Sequence, residues 1–277
     1  MAKIVAKFKL TENVSQIIVD APHIAKAARP GQFVVVIPKD DGERIPLTIA
    51  DTDLNKGTIA IIFQIVGATT KILDSIPAGG EIAHLLGPLG TPSEIENYGR
   101  VVVIGGGVGI AEIYPFVKAL KAAGNEVVTI IGARSKDYLL YVSELQTHSS
   151  ELKITTDDGS AGRKGFVSDE LKEMIEKGIK IDRVIAVGPV PMMKVCCDVT
   201  RAHNIKTIVS LNPLMLDATG MCGICRVTIA GKIKFACVDG PEFDGHDVDF
   251  NELTSRLKAY KDKEKEALDH VCRLLAV

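Results

Sequence analysis

Over residues 1–97 the hydrophobic positions come in short runs rich in β-branched side chains. Segments 4–10, 14–19, 33–37, 47–51 and 57–66 each read as a strand. Pro30-Gly31 and the stretches 40–42 and 78–80 break them apart. Several short strands spaced like this predict a small β-barrel. The pattern changes near Arg100. Residues 101–104 form an unbroken apolar run, as in a buried parallel strand. Gly105-Gly106-Gly107-Val108-Gly109 follows, then a helical stretch over 110–123 that stops at Gly124. Further apolar runs at 127–131, 154–156, 183–187 and 207–211 alternate with helical stretches at 167–176 and 191–203. This alternation predicts a parallel-sheet α/β domain over 98–211. A cysteine-bearing segment covers about 212–250. The remainder, 251–277, reads as one helix capped by Asn251. Its apolar stripe is Leu253, Leu257, Tyr260, Ala267, Leu268, Val271, Leu274 and Leu275. Such a stripe can dock on its own chain or, as the sharper alternative, on a partner subunit.

Composition narrows the class. A chain of 277 residues fits about two domains on the ~150-residue prior. Hydrophobic content of 46% and charged content of 25% are those of an ordinary globular protein. A net charge of −2 without a basic block argues against nucleic-acid binding. The opening MAKIVAKFKLTENV alternates like a strand and lacks the apolar core of a signal peptide. No apolar run reaches the length of a membrane span. Six cysteines, three of them in metal-like spacing, suit a reducing cytoplasm better than a disulfide framework.

That spacing is Asp217-x4-Cys222-x2-Cys225-x11-Cys237. It matches the C-x4-C-x2-C pattern of plant-type [2Fe–2S] sites with Asp in the first place. Ala218, Thr219, Gly220 and Gly223 let the backbone wrap closely around a ligand. Zinc held by three thiolates and one oxygen, or simply free thiols, are the alternative readings. Cys196, Cys197 and Cys272 sit in apolar stretches and read as buried packing residues.

The glycine loop at 105–109, between a buried strand and a helix, suits a dinucleotide pyrophosphate, although its spacing is not G-x-G-x-x-G. A tight structural turn is the plainer alternative. Arg134, after the second strand, stands where the far ribose would lie and does not decide between NAD and NADP. Asp157-Asp158-Gly159 reads as a polar loop beside the cleft, and Gly188-Pro189 as a turn facing a nicotinamide. In the first domain, Arg44-Ile45-Pro46-Leu47-Thr48 combines a phosphate-clamping cation with a hydroxyl. Val66-Gly67-Ala68-Thr69-Thr70 offers amides and hydroxyls to a pyrophosphate. Singly, each of these is more often a structural turn.

Together they form a pattern. R-x-P-L-T, V-G-x-x-T, Gly87-Pro88-Leu89-Gly90, G-G-G-V-G and the cysteine segment, in this order, resemble the ferredoxin–NADP reductase superfamily over about residues 4–250. Within it the chain looks like the flavin and iron–sulfur electron-transfer subunits. One relative is the electron-transfer subunit of dihydroorotate dehydrogenase, whose cluster has four Cys ligands. The other is the small subunit of NADH-dependent ferredoxin:NADP+ oxidoreductase, in which Asp replaces the first Cys. Asp217, the M-C-G-I-C-R and F-A-C-V-D-G-P-E-F-D-G-H segments and the long tail resemble the second more closely.

The resemblance implies an FAD barrel over 1–97, an NAD domain over 98–211, a [2Fe–2S] segment over 212–250 and a terminal helix. It implies FAD on Arg44, Pro46, Leu47, Thr48, Gln64, Val66, Gly67 and Thr70. NAD(H) falls on Gly106, Gly107 and Gly109, with Arg134, Asp157 and Gly188 nearby. The cluster falls on Asp217, Cys222, Cys225 and Cys237. Thr48 is expected to bond near flavin N5, where hydride arrives. The implied partner is a larger flavin and [4Fe–4S] subunit binding NADPH and ferredoxin, giving a heterodimer. Many relatives continue the glycine loop with Ala-Pro; this chain has Ala111-Glu112.

Overall fold

The computed structural model describes residues 1–275. Seven strands come first: β1 (Ala2–Thr11), β2 (Val14–Asp20), β3 (Phe33–Ile37), β4 (Ile45–Asp53), β5 (Thr58–Gln64), β6 (Glu81–Ile82) and β7 (His84–Leu89). They pair antiparallel in the order β6-β1-β2-β5-β4-β3-β7. The two edge strands are joined through Ala83, so the sheet curls until its ends nearly meet. Ile4, Ile17, Val34, Ile49, Ile59, Ile61 and Phe63 fill the barrel. Ile62 and Ala50 point the other way, into the core of the next domain. β5 is therefore buried on both faces, which is why 57–66 reads as a nearly continuous apolar run. Helices α1 (Pro22–Ala27) and α2 (Ala68–Ser75) flank the barrel; neither is legible from periodicity in so few residues.

The second sheet contains β8 (Arg100–Gly106), β9 (Glu126–Ala133), β10 (Glu151–Thr156), β11 (Arg163–Lys164), β12 (Arg183–Val187) and β13 (Thr207–Ser210). The cysteine segment adds a hairpin of β14 (Arg226–Ile229) and β15 (Lys232–Phe235), then β16 (Glu242–Asp244). The sheet order is β11-β10-β9-β8-β12-β13-β16, parallel except for β16. Val101 and Val103 of β8 pack on one face; Val102 and Ile104 pack on the other. The first face is covered by α4 (Tyr114–Ala122) and α5 (Val142–His148), which follow the short α3 (Gly109–Glu112). The second is covered by α6 (Val167–Glu176) and α7 (Val190–Arg201). The chain winds from β8 outward to β10, then returns to the other side of β8 at β12. That reversal opens a crevice at the carboxyl ends of β8 and β12, where doubly wound sheets take their ligands.

Several expectations need correction. The helix expected over 110–123 is two pieces, with Pro115 in the first turn of α4, where its missing N–H costs nothing. The tail is also two helices, α8 (Phe250–Arg256) and α9 (Lys261–Leu275). Asp249, not Asn251, caps α8: its carboxylate accepts from the Asn251 and Glu252 amides at 3.0 and 2.9 Å. Leu253 is buried against the chain's own second core. α9 lies against α2, where Lys71 Nζ donates to Cys272 Sγ at 2.9 Å. Cys272 is half-buried rather than buried. The side chains of Leu274 and Leu275 lie outside the described residues. Cys196 and Cys197 are buried as expected, and burial pushes both thiols up to about 12. No helix among the described residues is long and apolar enough to cross a membrane.

Candidate functional site

The candidate residues fall in three places: on the barrel, at the ends of the parallel sheet, and in the cysteine segment, which packs on Phe33, Val35 and Ile37 of β3. On the barrel, Pro46, Leu47 and Thr48 lie on β4, opposite Val35, Val34 and Phe33 of β3. Thr48 and Leu47 are half-buried, and Arg44 is exposed just before the strand. β5 ends at Gln64, and Val66 beyond it is 65% exposed. The Val66 and Gly67 amides donate to Thr70 Oγ1 at 3.1 and 3.0 Å, and that hydroxyl donates to the Gly67 carbonyl at 2.9 Å. Thr70 thus folds the loop into α2 instead of offering its hydroxyl outward.

A Cβ on Gly67 would meet nothing within 4 Å. The start of α2 therefore presents open backbone, as a phosphate requires. On the same turn the Thr69 hydroxyl donates to Glu43 Oε2 at 2.6 Å. These features fit a flavin nucleotide. An open cleft of about 730 Å³ near α1 and β7 takes in Arg44 but not Thr48 or Gly67.

In the second domain the glycine loop lies against the turn after β12. A Cβ on Gly109 would fall 2.5 Å from the Val187 carbonyl oxygen, and one on Gly188 2.9 Å from that of Gly106. Backbone meets backbone there, and only glycine permits it. Gly107 differs: its φ is +58° and its missing Cβ faces open space. The loop is thus a packed turn on one side and an accessible one on the other, combining the two readings open in the sequence. Arg134 and Asp157 are both exposed at the ends of β9 and β10. Backbone bonds from Asp157 N to Ala133 O (3.1 Å) and Asp158 N to Arg134 O (3.2 Å) join the two loops. The arrangement fits a dinucleotide lying across the sheet ends.

The cysteine loop is partly drawn together. Cys225 and Cys237 are buried, with their sulfurs 3.2 Å apart. Burial and the neighbouring Cys225 thiol push Cys237 up to about 12. Cys222 is exposed. Asp217 bonds within its own loop, accepting from the Thr219 and Cys222 amides at 3.0 Å each. Its carboxyl is held below the ordinary range, mainly by the Thr219 amide. Among the described residues no three candidate ligands converge on one metal position. The backbone nevertheless wraps: Ala218, Gly220 and Gly223 all have positive φ (59°, 81° and 69°). A buried alanine in that conformation is strained by roughly 1–2 kcal/mol, the sort of cost found at ligand-binding loops. Two adjacent thiols in a strained, inward-wrapping loop fit an iron–sulfur group.

Two carboxylates escaped the sequence reading. Glu112, in the first turn after the glycine loop, is half-buried. Desolvation pushes its carboxyl up to about 7, with Thr48 acting in the opposite direction. Its only sequence signal is the departure from Ala-Pro. Glu242 on β16 is likewise pushed up by burial to about 7, and accepts the Ser93 hydroxyl where the interdomain linker crosses. The domains are also tied by Lys118 Nζ to Asp51 Oδ1 at 2.7 Å and by Gln16 Nε2 to the Tyr141 hydroxyl at 2.8 Å.

Comparison with known proteins agrees with this arrangement. Residues 212–249 match the iron–sulfur cluster binding domain of dihydroorotate dehydrogenase B, and residues 103–198 match an oxidoreductase NAD-binding domain. A dihydroorotate dehydrogenase B (NAD(+)) electron transfer subunit homolog of Thermotoga maritima is 51% identical over 95% of this chain and 93% of its own. The dihydroorotate dehydrogenase B (NAD(+)) electron transfer subunit of Fusobacterium nucleatum is 31% identical over 82% and 89%. A chain from the solved NADH-dependent reduced ferredoxin-NADP oxidoreductase, studied for flavin-based electron bifurcation, is 50% identical. It superposes with a TM-score of 0.92 over 98% of this chain and 97% of that one.

Proposed function

Because this chain belongs to the family of dihydroorotate dehydrogenase B-type electron transfer subunits, we propose that it is the NADH-handling subunit of a flavin-based bifurcating NADH/ferredoxin:NADP+ oxidoreductase. It carries FAD and a [2Fe–2S] cluster and works in a heterodimer. Its partner is a larger flavin and [4Fe–4S] subunit that binds NADPH and ferredoxin. The observation that carries this reading is the likeness to the NADH-dependent reduced ferredoxin-NADP oxidoreductase, which runs through nearly the whole chain. Asp217 in the first ligand place supports it.

When bound, FAD supplies the conversion between two-electron hydride chemistry and single-electron transfer. The chain holds and aligns. Arg44 and the start of α2 take the flavin's phosphates. Pro46, Leu47, Gln64 and Val66 line its ring, and Thr48 bonds its N5 edge. Gly106, Gly107 and Gly109 admit the pyrophosphate of NAD(H), Arg134 and Asp157 flank its far ribose, and Gly188 borders the nicotinamide. Asp217, Cys222, Cys225 and Cys237 hold the cluster.

A second reading, the electron transfer subunit of dihydroorotate dehydrogenase, is favoured by the family match at 212–249. Anaerobic purification of the native complex separates the two. A larger flavin and iron–sulfur partner with NADPH-dependent ferredoxin chemistry is the expected result. Recovery of a dihydroorotate-oxidising partner would establish the second reading.

A further inference from the structure

Both residues between Cys222 and Cys225 have their carbonyls taken by arginines. Arg256 Nη2 donates to the Ile224 oxygen at 3.0 Å from 32 positions away, and Arg226 Nη1 donates to the Gly223 oxygen at 3.3 Å. Arg256 is half-buried in the last turn of α8, whereas Arg226 is exposed. The helix carries its arginine to the loop because Phe250 and Leu253 sink into the second core beside Val227 of β14. The Ile224–Cys225 peptide is trans, so the Ile224 carbonyl and the Cys225 amide point to opposite sides of one plane. Holding the carbonyl therefore also fixes which way Cys225 presents its amide. Arg256 destabilises the fold where it stands: its Nε is enclosed and bonds nothing among the described residues, and such a donor loses its hydration without recompense. The cavity beside it, about 220 Å³, is lined by Pro213, Leu214, Leu253 and Leu257 together with the two arginines, and no acidic residue takes part. Glu252, one turn back on α8, makes no ion pair with Arg256 among the described residues. Arginine side chains stay charged in proteins. A fixed positive charge without a carboxylate thus stands against the loop that carries two of the candidate ligands.

Resting on the functional reading above, we propose that Arg256 is a positioning residue that raises the potential of the [2Fe–2S] cluster by holding a positive charge on the Cys222–Cys225 loop. One electron from the flavin adds one negative charge to the centre, and no bond of the chain forms or breaks. A cation fixed beside the loop stabilises the reduced state more than the oxidised one, because its attraction grows with the charge it faces. Salt screens a half-buried charge weakly and an exposed one strongly, so Arg256 outweighs Arg226. Arg256 acts through its charge and through the carbonyl it holds, at one remove from the ligands themselves.

The test compares wild type with Arg256→Gln, Arg256→Lys and Arg226→Gln in the native complex, by iron and acid-labile sulfide content and by potentiometric EPR of the [2Fe–2S] signal. Gln keeps an amide donor for the Ile224 carbonyl without the charge, and Lys keeps the charge. Arg256→Gln is expected to hold wild-type iron and to disfavour reduction about tenfold, a midpoint lower by ~59 mV for one electron. Arg256→Lys is expected to recover most of that shift, and Arg226→Gln to change the equilibrium by no more than about threefold. A wild-type midpoint in iron-loaded Arg256→Gln overturns the proposal while the functional reading stands. Equal shifts in Arg256→Gln and Arg256→Lys also overturn it, by assigning the effect to geometry rather than charge. Loss of iron from both Arg256 variants makes the residue structural, with the same consequence. A wild-type complex without a [2Fe–2S] signal overturns the proposal and the functional reading together.

Discussion

The sulfur atoms of Cys225 and Cys237 lie 3.2 Å apart, brought together by the β14–β15 hairpin from positions twelve residues apart. The two-residue turn is Ala230-Gly231, both with positive φ (48° and 73°), as tight hairpin turns require. Cys237→Ser should reduce iron and acid-labile sulfide from about two per chain toward zero. Cys196→Ala, which alters a buried thiol on α7, should leave both unchanged. Iron and sulfide assays on anaerobically purified protein check the pair. Equal iron in both variants would remove Cys237 from the ligand set.

Asp217 is the departure from a four-cysteine site. A carboxylate is a harder ligand than a thiolate and donates less charge to iron. Asp217→Cys should keep a cluster but shift its potential by tens of millivolts, an order set by ligand tuning in such centres. Potentiometric EPR titration checks it; an unchanged midpoint would count against ligation by Asp217.

Gly67 offers a test of the flavin site that spares the fold. Its φ of −134° is open to any residue, and a methyl group there meets nothing. Gly67→Ala should therefore hold or slightly raise apoprotein stability, by about 0–1 kcal/mol. It should lower FAD affinity, because the added methyl stands where the phosphate approaches the α2 amides. Thermal melts with and without FAD, together with fluorescence titration of the flavin, check both halves. Wild-type affinity would place the flavin phosphates elsewhere.

Glu242 makes stability pH-dependent. Its folded pKa of about 7 lies above the ordinary 4.5, because burial disfavours the charged form. The folded state then binds the proton more tightly than the unfolded chain. Its contribution is complete below about 4.5 and is lost as pH rises through 7. Glu242→Gln keeps an acceptor for Ser93 without the charge. It should flatten the decline between those limits, by about 1–3 kcal/mol at pH 8 relative to pH 4.5. Urea unfolding at several pH values measures it; parallel curves for the two proteins would exclude Glu242 as the source.

Most of the architecture was legible because it rests on local patterns. β3, β12 and α6 occur where periodicity put them, since alternating or continuous burial is written in neighbouring residues. Glycines 105–109 and the Asp217–Cys237 spacing stand out as readily, because each is a contiguous run of residues. The tail was misread at its cap and its break because Asp249 and Asn251 are equally good N-caps by type. Which one serves depends on where the chain leaves β16.

What the order of residues by itself determined is the pairing of a barrel with a parallel sheet and the identity of the loops at their edges. What tertiary structure alone decided is which residues face one another across the domain boundary. Asp51 meets Lys118, Ser93 meets Glu242, and β16 of the cysteine segment closes the edge of the parallel sheet. These contacts join residues 67 and 149 positions apart for the first two pairs. No periodicity reaches that far, and a carboxyl's pKa depends on the dielectric that folding builds around it rather than on its sequence neighbours.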